Sequence, residues 1–467
     1  MRYISTRGQA PSLEFGDVLL AGLASDGGLY LPESWPSFSA AELRALRGQP
    51  YPQLAARIMF PFVGRSLSFE RLSALCEAAW RGFGHPVVCP LRQADPRTWL
   101  LDLTRGPTLA FKDMAMQLLA RLFDHVLAER DTSITIIGAT SGDTGAAAVA
   151  AIAGRSRARI VMLHPEGRVS EVQRRQMTTV LAENVTNLAV AGTFDDCQDL
   201  VKAMFADASL RADLRLSAVN SINWARVLAQ VPYYVAAALA LGGPDRPVAF
   251  AVPTGNFGNV LAGWIAARIG LPVVRLVVGA NSNDILARFL SANDMSLAPV
   301  TPTLSPSMDI QVSSNFERLL YVLLDENPAA TAQAIGQFRA TGRMPVPDAA
   351  WRSATREFAG FAMDDAATLD VMAAHHRSTG ELIDPHTAVG LAAARARAPI
   401  DDSVPVIALE TAHPAKFPDA VMRATGIHPA LPPALADLLE RPERAIPVAN
   451  DLAAVTELVR AAAKEPA

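Results

Sequence analysis

Lysine occurs at only four positions, Lys112, Lys202, Lys416 and Lys464, and the other 38 of the 42 basic residues are Arg. In a chain that writes positive charge almost always as guanidinium, one amine is kept between Phe111 and Asp113 in GPTLAFKDMAMQ (106–117). That placement points to chemistry that needs an amine, because amines condense with carbonyls to imines and guanidinium does not. An imine-forming lysine works best when burial or neighbouring cations destabilise its ammonium. Leu109, Phe111 and Met114 supply apolar surroundings for Lys112. The plainer reading is a solvated lysine paired with Asp113. Lys202 in DDCQDLVKAMF falls on the polar face of an amphipathic helix and Lys464 lies in the last residues, so Lys416 is the competitor.

Two Gly-rich turns stand where strand patterns give way to helix patterns: ATSGDTGAAA (139–148) after SITIIG, and PTGNFGNVLAG (253–263) after VAFAV. At such junctions the first amides of the helix are unpaired and its dipole is positive, so each turn is a candidate anion cradle. Neither is a P-loop, since no GK[ST] follows, and neither is GxGxxG with a downstream ribose acid. One such turn is a weak signal. Two of them with an amine match what a pyridoxal-phosphate enzyme acting on an amino acid requires, one cradle for the cofactor phosphate and one for a carboxylate.

A third polar cluster, SAVNSINWAR (217–226), offers Asn220, Ser221, Asn223 and Arg226, a set suited to a phosphate monoester. Read locally, it is a helix N-cap at Ser221 or Asn223 with Arg226 in solvent. ETAHPAKF (410–417) presents Thr411 and His413 to a cleft, or else starts a helix with Pro414 in its first turn. His375 and His376 are expected to face solvent, Asp384 to cap a helix at His386, and no metal site is expected.

The elements that must position these residues alternate. SITIIG (133–138), RIVMLHP (159–165), NVTNLAVAG (184–192), PVAFAVP (247–253), PVVRLVVGA (272–280) and PVIALE (405–410) read as buried strands, with helices from about Thr144, Ser170, Asp196 and Gly258. Apolar β-branched runs followed by amphipathic helices predict parallel sheets covered on both faces. One long helix is expected through WARVLAQVPYYVAAALAL, with the sheet regions dividing near 235–245 into two α/β lobes. The expected domains are an N-terminal cap over 1–97, a large cofactor-binding domain over 98–124 and 245–467 with a helical insertion at about 282–377, and a small domain over 125–244. The cap carries helical patterns in SLEFGDVLLAGLA, AAELRALRG, YPQLAARIMFPFV and FERLSALCEAAWRGF. VTPTLSPSMDIQVSSN breaks the insertion, and a loop that long is functional or mobile; residues 300–315 are the expected lid.

Bulk composition narrows the class. Half of the residues are hydrophobic, mean hydropathy is +0.19 and the pI is about 6.1, which describes a packed globular chain. A net charge of -4 gives no general attraction to nucleic acid or to an anionic membrane. Cys76, Cys89 and Cys197 have no CxxC spacing, which fits a reducing cytosol. The first residues show no secretory h-region, and the apolar run at 233–243 is too short to span a bilayer. A cytoplasmic protein is expected, as a monomer or homodimer.

Together the motifs resemble threonine synthase: STRG and FGDVLLAGLASDGGLYLP, GPTLAFKDMAMQ, GATSGDTGAAA, SAVNSINWARVLAQ, PTGNFGNVLAGW and ALETAHPAKF, spread over most of the chain. The resemblance implies an α/β protein of the tryptophan synthase β-like, fold type II pyridoxal-phosphate architecture, of the longer threonine synthase type. It implies conversion of O-phospho-L-homoserine and water to L-threonine and phosphate, the last step of threonine biosynthesis from aspartate. By the same carry-over Lys112 holds the cofactor through an imine, the cofactor phosphate lies at Gly255, Asn256, Phe257, Gly258 and Asn259, and Thr411 faces the pyridine nitrogen. Ser141, Gly142 and Thr144 take the substrate carboxylate, with Asp143 beside the cofactor ring where related enzymes such as cysteine synthase often carry Asn. Asn220, Ser221 and Arg226 take the substrate phosphate. Closure of the small lobe would exclude water. Two other readings stand beside it: a serine or threonine dehydratase or phosphoamino-acid phospholyase of the same fold, and a binding protein using the cradles without catalysis.

Overall fold

A computed structural model describes residues 1–218, 221–397 and 401–464. Strands β1 (Arg2–Ser5), β2 (Leu13–Glu14) and β3 (Tyr30–Pro32) form a small antiparallel sheet in the order β2-β1-β3. β4 (Leu91–Gln93) and β5 (Thr98–Asp102) begin the large sheet. The chain then leaves it for β6 (Ile134–Ala139), β7 (Ala158–Pro165), β8 (Val185–Ala191) and β9 (Leu216–Ser217), which belong to a second sheet. β10 (Val248–Pro253), β11 (Val273–Ala280), β12 (Phe358–Ala362) and β13 (Val406–Glu410) return to the large sheet. β14 (Ile446–Ala449) crosses back to the second.

The orders are β12-β11-β10-β13-β5-β4 and β14-β8-β7-β6-β9. All pairings in these two sheets are parallel except β4 with β5. The α/β class with two parallel lobes therefore stands as expected. In open parallel sheets, ligands gather at the carboxyl ends of the strands. Residues 103–112 leave β5, 140–145 leave β6, 254–259 leave β10 and 411–417 leave β13, so these four loops lie at such ends.

Several boundaries differ from expectation. β14 and the Leu452–Lys464 helix pack on the second sheet, where 245–467 had been assigned to the large domain. WARVLAQVPYYVAAALAL is two helices, Trp224–Leu228 and Val231–Ala240, because Pro232 has no N–H to give Leu228 and its ring crowds that carbonyl. Both pack with the large lobe and the N-terminal segment rather than with the small sheet. Residues 1–97 contain the expected helices, yet share one continuous core with the large lobe. Strands β5, β12 and β14 carried no sequence signal: TWLLD, FAGFA and IPVA are too short and too mixed to show a period.

Residues 300–315 are not built as a free lid. Asn281 Nδ2 donates to Thr303 Oγ1 at 2.8 Å and to Asp309 Oδ1 at 2.8 Å, and Thr303 N–H donates to Asp309 Oδ2 at 2.9 Å. Ser313 Oγ donates to Gly255 O at 2.7 Å and Asn315 Nδ2 to Asn256 O at 3.0 Å. The segment is a strapped roof over the turn after β10. His375 is wholly buried, contrary to the solvent-facing expectation, on the inner side of the Asp365–Thr379 helix. Among the described residues no helix is long and apolar enough to cross a membrane.

Candidate active site

Register brings the first pieces together. β13 pairs with β5 so that Glu410 lies opposite Asp102, and the loops continue side by side. Phe111 N–H donates to Thr411 O at 2.9 Å and His413 N–H to Leu109 O at 3.0 Å. Leu109 is held at φ +60°, a left-handed conformation that costs a non-glycine residue roughly 1–2 kcal/mol and here turns the chain into the helix Lys112–Glu129. Lys112 is therefore the first helical residue, beside buried Thr411.

Lys112 is 8% exposed. Its Nζ donates to Asp143 Oδ2 at 3.1 Å and to Ser307 Oγ at 3.3 Å. Burial pushes its ammonium below the ordinary lysine range; Asp143 opposes that, and Lys416 and Arg226 reinforce it. The plain solvated-lysine reading fails, and Asp113 is not its partner: the Asp113 carboxylate accepts from Thr108 N–H at 2.8 Å and Thr108 Oγ1 at 2.7 Å. Asp143 is equally buried. Desolvation works against its charge, yet Lys112 and Lys416 hold its carboxyl well below the usual range.

The turn after β10 is an open anion cradle. Phe257, at φ +62°, caps the helix Gly258–Arg268 in the left-handed conformation, held there by the rings of Phe316 at 5.6 Å and Phe358 at 5.8 Å. The amides of Gly255, Asn256 and Phe257 have no acceptor among the described residues. A Cβ on Gly255 would lie 2.7 Å from Ser307 O, so only glycine passes beneath the roof. Asn259 Oδ1 accepts from Tyr233 at 2.6 Å and Tyr234 at 2.7 Å, fixing the amide so that its buried Nδ2 is left without a partner.

The turn after β6 is different. Thr140 Oγ1 accepts from Gly142 N–H at 3.0 Å and Gly145 N–H at 2.9 Å. The Gly142 amide is thus spent inside the turn, whereas the amides of Ser141, Asp143 and Thr144 have no acceptor among the described residues. Gly142 itself has φ +145° and its missing Cβ makes room for Gln173.

Asn220 lies outside the described residues. Ser221 and Arg226 do reach the site region: Ser221 O accepts from Asn315 Nδ2 at 3.0 Å, and Arg226 is buried with Nη1 lacking an acceptor among the described residues. Asn223 is the N-cap, accepting from Ala225 N–H at 3.0 Å, so the local capping reading holds for Asn223 while Arg226 is not in solvent. Burial brings the Arg226 guanidinium down to about 10. An arginine with an orphaned, desolvated N–H is a site waiting for an anion.

Sequence reasoning missed several members. Lys416 Nζ reaches Asp143 Oδ1 at 3.0 Å, and Gln173 Nε2 donates to the same oxygen at 2.8 Å. Ser307 N–H donates to His386 Nε2 at 3.3 Å, which leaves the ring proton on Nδ1, 2.6 Å from Asp384 Oδ2. The scarcity of Lys and the Pro/Ser-rich interruption flagged Lys416 and Ser307 only as neighbourhoods. Gln173 carried no signal. His413 caps its own turn, Nδ1 accepting from Ala415 N–H at 3.2 Å. Among the described residues no group of three or more His, Cys, Asp or Glu is arranged to hold a metal ion.

Two amide-lined turns flanking a buried lysine, with orphaned donors at Asn259 and Arg226, fit a phosphorylated aldehyde cofactor and an anionic substrate. Residues 90–340 match the model of pyridoxal-phosphate-dependent enzymes, and the chain is of that class. Residues 2–80 and 387–459 match the models of the threonine synthase N terminus and C-terminal region. The chain is similar to threonine synthase of Pseudomonas aeruginosa, 53% identical over 461 residues and 98% of each chain. It is also similar to the crystal structure of pyridoxal-phosphate-bound threonine synthase from Brucella melitensis, with a TM-score of 0.98, 47% identity and full coverage of both chains. For the crystal structure of the yeast enzyme the TM-score is 0.94 at 36% identity, covering 100% of this chain and 98% of that one. The chain belongs to the threonine synthase family.

Proposed function

We propose that the chain converts O-phospho-L-homoserine and water to L-threonine and phosphate, as a pyridoxal-phosphate-dependent carbon–oxygen lyase acting on phosphate in the cytoplasm. The observation that carries this reading is the buried Lys112 amine, lowered in basicity, between an open cradle after β10 and the orphaned Arg226 guanidinium.

Lys112 would hold the cofactor covalently; Gly255, Asn256, Phe257, Gly258 and Asn259 would hold its phosphate, with Thr411 toward its ring nitrogen and Asp143 toward its ring. A neutral hydroxyl at Thr411 leaves that nitrogen less firmly protonated than an acid would. Bound there, pyridoxal phosphate supplies an electron sink for charge developing on the substrate carbons. Ser141 and Thr144 offer the substrate carboxylate their free amides. Gly142 gives the turn its shape rather than a donor, since its own N–H is used by Thr140. Ser221 and Arg226, with Asn220, take the substrate phosphate.

Lys112, a buried amine of lowered basicity, is suited to remove the substrate α-proton and to return protons along the carbon chain. Asp143 and Ser307, its two contacts, orient it for that work. The small domain, 125–218 with 444–464, closes over the cleft and controls when water enters. In the structure it is already clasped to the large lobe through Gln176 Nε2, which donates to Thr108 O at 3.1 Å. The test is product analysis with O-phospho-L-homoserine: threonine and phosphate in equal amounts support the reading. An oxoacid with phosphate would make it a phospholyase, and turnover of free threonine a dehydratase.

A further inference from the structure

Asp143 serves two ammonium groups. Its Oδ2 is 3.1 Å from Lys112 Nζ and its Oδ1 is 3.0 Å from Lys416 Nζ. The lysines are not equivalent. Lys416 has no exposed surface; its Nζ donates to Thr108 O at 2.6 Å and to Gln176 Oε1 at 2.9 Å and is ion-paired with Asp143 Oδ1. Lys112 has two acceptors, Asp143 Oδ2 and Ser307 Oγ, the latter at 3.3 Å. Lys416 is thus anchored by two hydrogen bonds away from Asp143 and Lys112 by one, so the two ammonium groups are held differently at a shared carboxylate.

Resting on the function proposed above, we propose that Lys416 is a positioning residue for the Lys112 amine: its ammonium anchors Asp143 and gives that carboxylate a permanent counter-charge, leaving Lys112 free to lose its own. Without Lys416, Asp143 would be a buried carboxylate whose only close cation is Lys112, and it would hold that proton. With Lys416 in place, Asp143 stays compensated when Lys112 forms a covalent bond through its nitrogen. The charged and polar groups facing this pair come from every side: Arg226 near Lys112, Asp113 near Lys416, His386 and Gln173 near Asp143, and Ser307 between Lys112 and Asp143. Of these, Arg226 acts on Lys112 in the same direction as Lys416, and no other lysine lies in the cluster.

The test uses the full-length chain freed of cofactor, with Lys416→Met and Lys416→Gln. The pH dependence of Lys112 reductive methylation, read by peptide mass spectrometry, gives the midpoint of its amine directly. Both substitutions are expected to raise that midpoint by about one unit, a roughly tenfold slower labelling near neutral pH. Lys416→Arg, which keeps the charge, is expected to restore most of the lost rate. Recapture of pyridoxal phosphate, followed by its absorbance, is expected to slow in parallel. If Lys416→Met does not fold, Lys416→Gln, with donors for Thr108 O, carries the test. A Lys112 midpoint equal to wild type in a folded, uncharged variant would overturn the inference. If wild type itself forms no reducible link to pyridoxal phosphate, the proposed function fails instead, so the two failures are distinguishable.

Discussion

Replacing Arg226 with Met separates stability from function in a way the site's geometry dictates. Arg226 Nη1 is buried without an acceptor among the described residues, and such an unsatisfied donor costs about 1–3 kcal/mol. Methionine fills much of the same volume without a donor or a charge. Arg226→Met holoenzyme is therefore expected to be at least as stable as wild type in anion-free buffer, by up to the same 1–3 kcal/mol. Inorganic phosphate is expected to offset or reverse that order, because in the holoenzyme proposed above the cofactor fills the cradle after β10 and the added anion reports on Arg226. At phosphate one hundred times its Kd, wild type gains about 2.7 kcal/mol and the variant gains little. In kinetics, loss of a charged hydrogen bond of about 1.5–3 kcal/mol lowers kcat/KM for the phosphorylated substrate roughly 10- to 150-fold. Calorimetric melts with and without phosphate, paired with initial rates, check both parts. A variant destabilised in anion-free buffer, with an undiminished response to phosphate, would refute the reasoning.

Other outcomes follow from particular contacts. Gly255→Ala drives a Cβ to 2.7 Å from Ser307 O and 3.4 Å from Met308 Cα; overpacking of about 1–3 kcal/mol is expected to weaken cofactor binding about tenfold or more, read by equilibrium dialysis. Phe257→Ala, which removes the ring between Phe316 and Phe358, is expected to cost about 3–5 kcal/mol in urea unfolding. Glu443 accepts from Thr178 Oγ1 at 2.6 Å and pairs with Arg174; chiefly through the Arg174 bond its carboxyl falls to about 2. A carboxyl depressed on folding stabilises above its unfolded value near 4.5, and that contribution is lost as pH falls toward 2. Glu443→Gln is thus expected to cost about 0.2–1 kcal/mol at neutral pH and progressively less in acid, followed by thermal melts across pH.

Much of this site was legible because its chemistry is local in sequence. A Gly-rich turn between strand and helix declares its open amides, and a solitary lysine among arginines declares its amine, so both cradles and Lys112 were visible before any fold was known. The partners of Asp143 were not. Gln173 and Gln176 are ordinary helical glutamines until the helix after β7 brings Gln173 against Asp143 and Gln176 against Thr108 and Lys416. The Gly142 amide looked free because nothing in SGDTG announces that Thr140 turns its hydroxyl back on it. The bonds from Asn281 and Asp309 that strap the 300–315 segment were not legible, because Pro- and Ser-rich composition marks irregular backbone without revealing what holds it. Strand β14, whose Ile446 pairs with Leu188 of β8 from 258 positions further along the chain, shows a long-range pairing that no local pattern encodes.

The central claim is that Lys112, and not the neighbouring Lys416, carries the cofactor. Both amines lie within 3.1 Å of Asp143, so only a covalent label tells them apart. Borohydride reduction of the pyridoxal-phosphate-loaded protein, then proteolysis and mass spectrometry, is expected to place one pyridoxyl group on the peptide containing Lys112. Lys112→Ala is expected to show neither the label nor the visible band. A pyridoxyl group on Lys416, or no trapped label at all, would contradict the account.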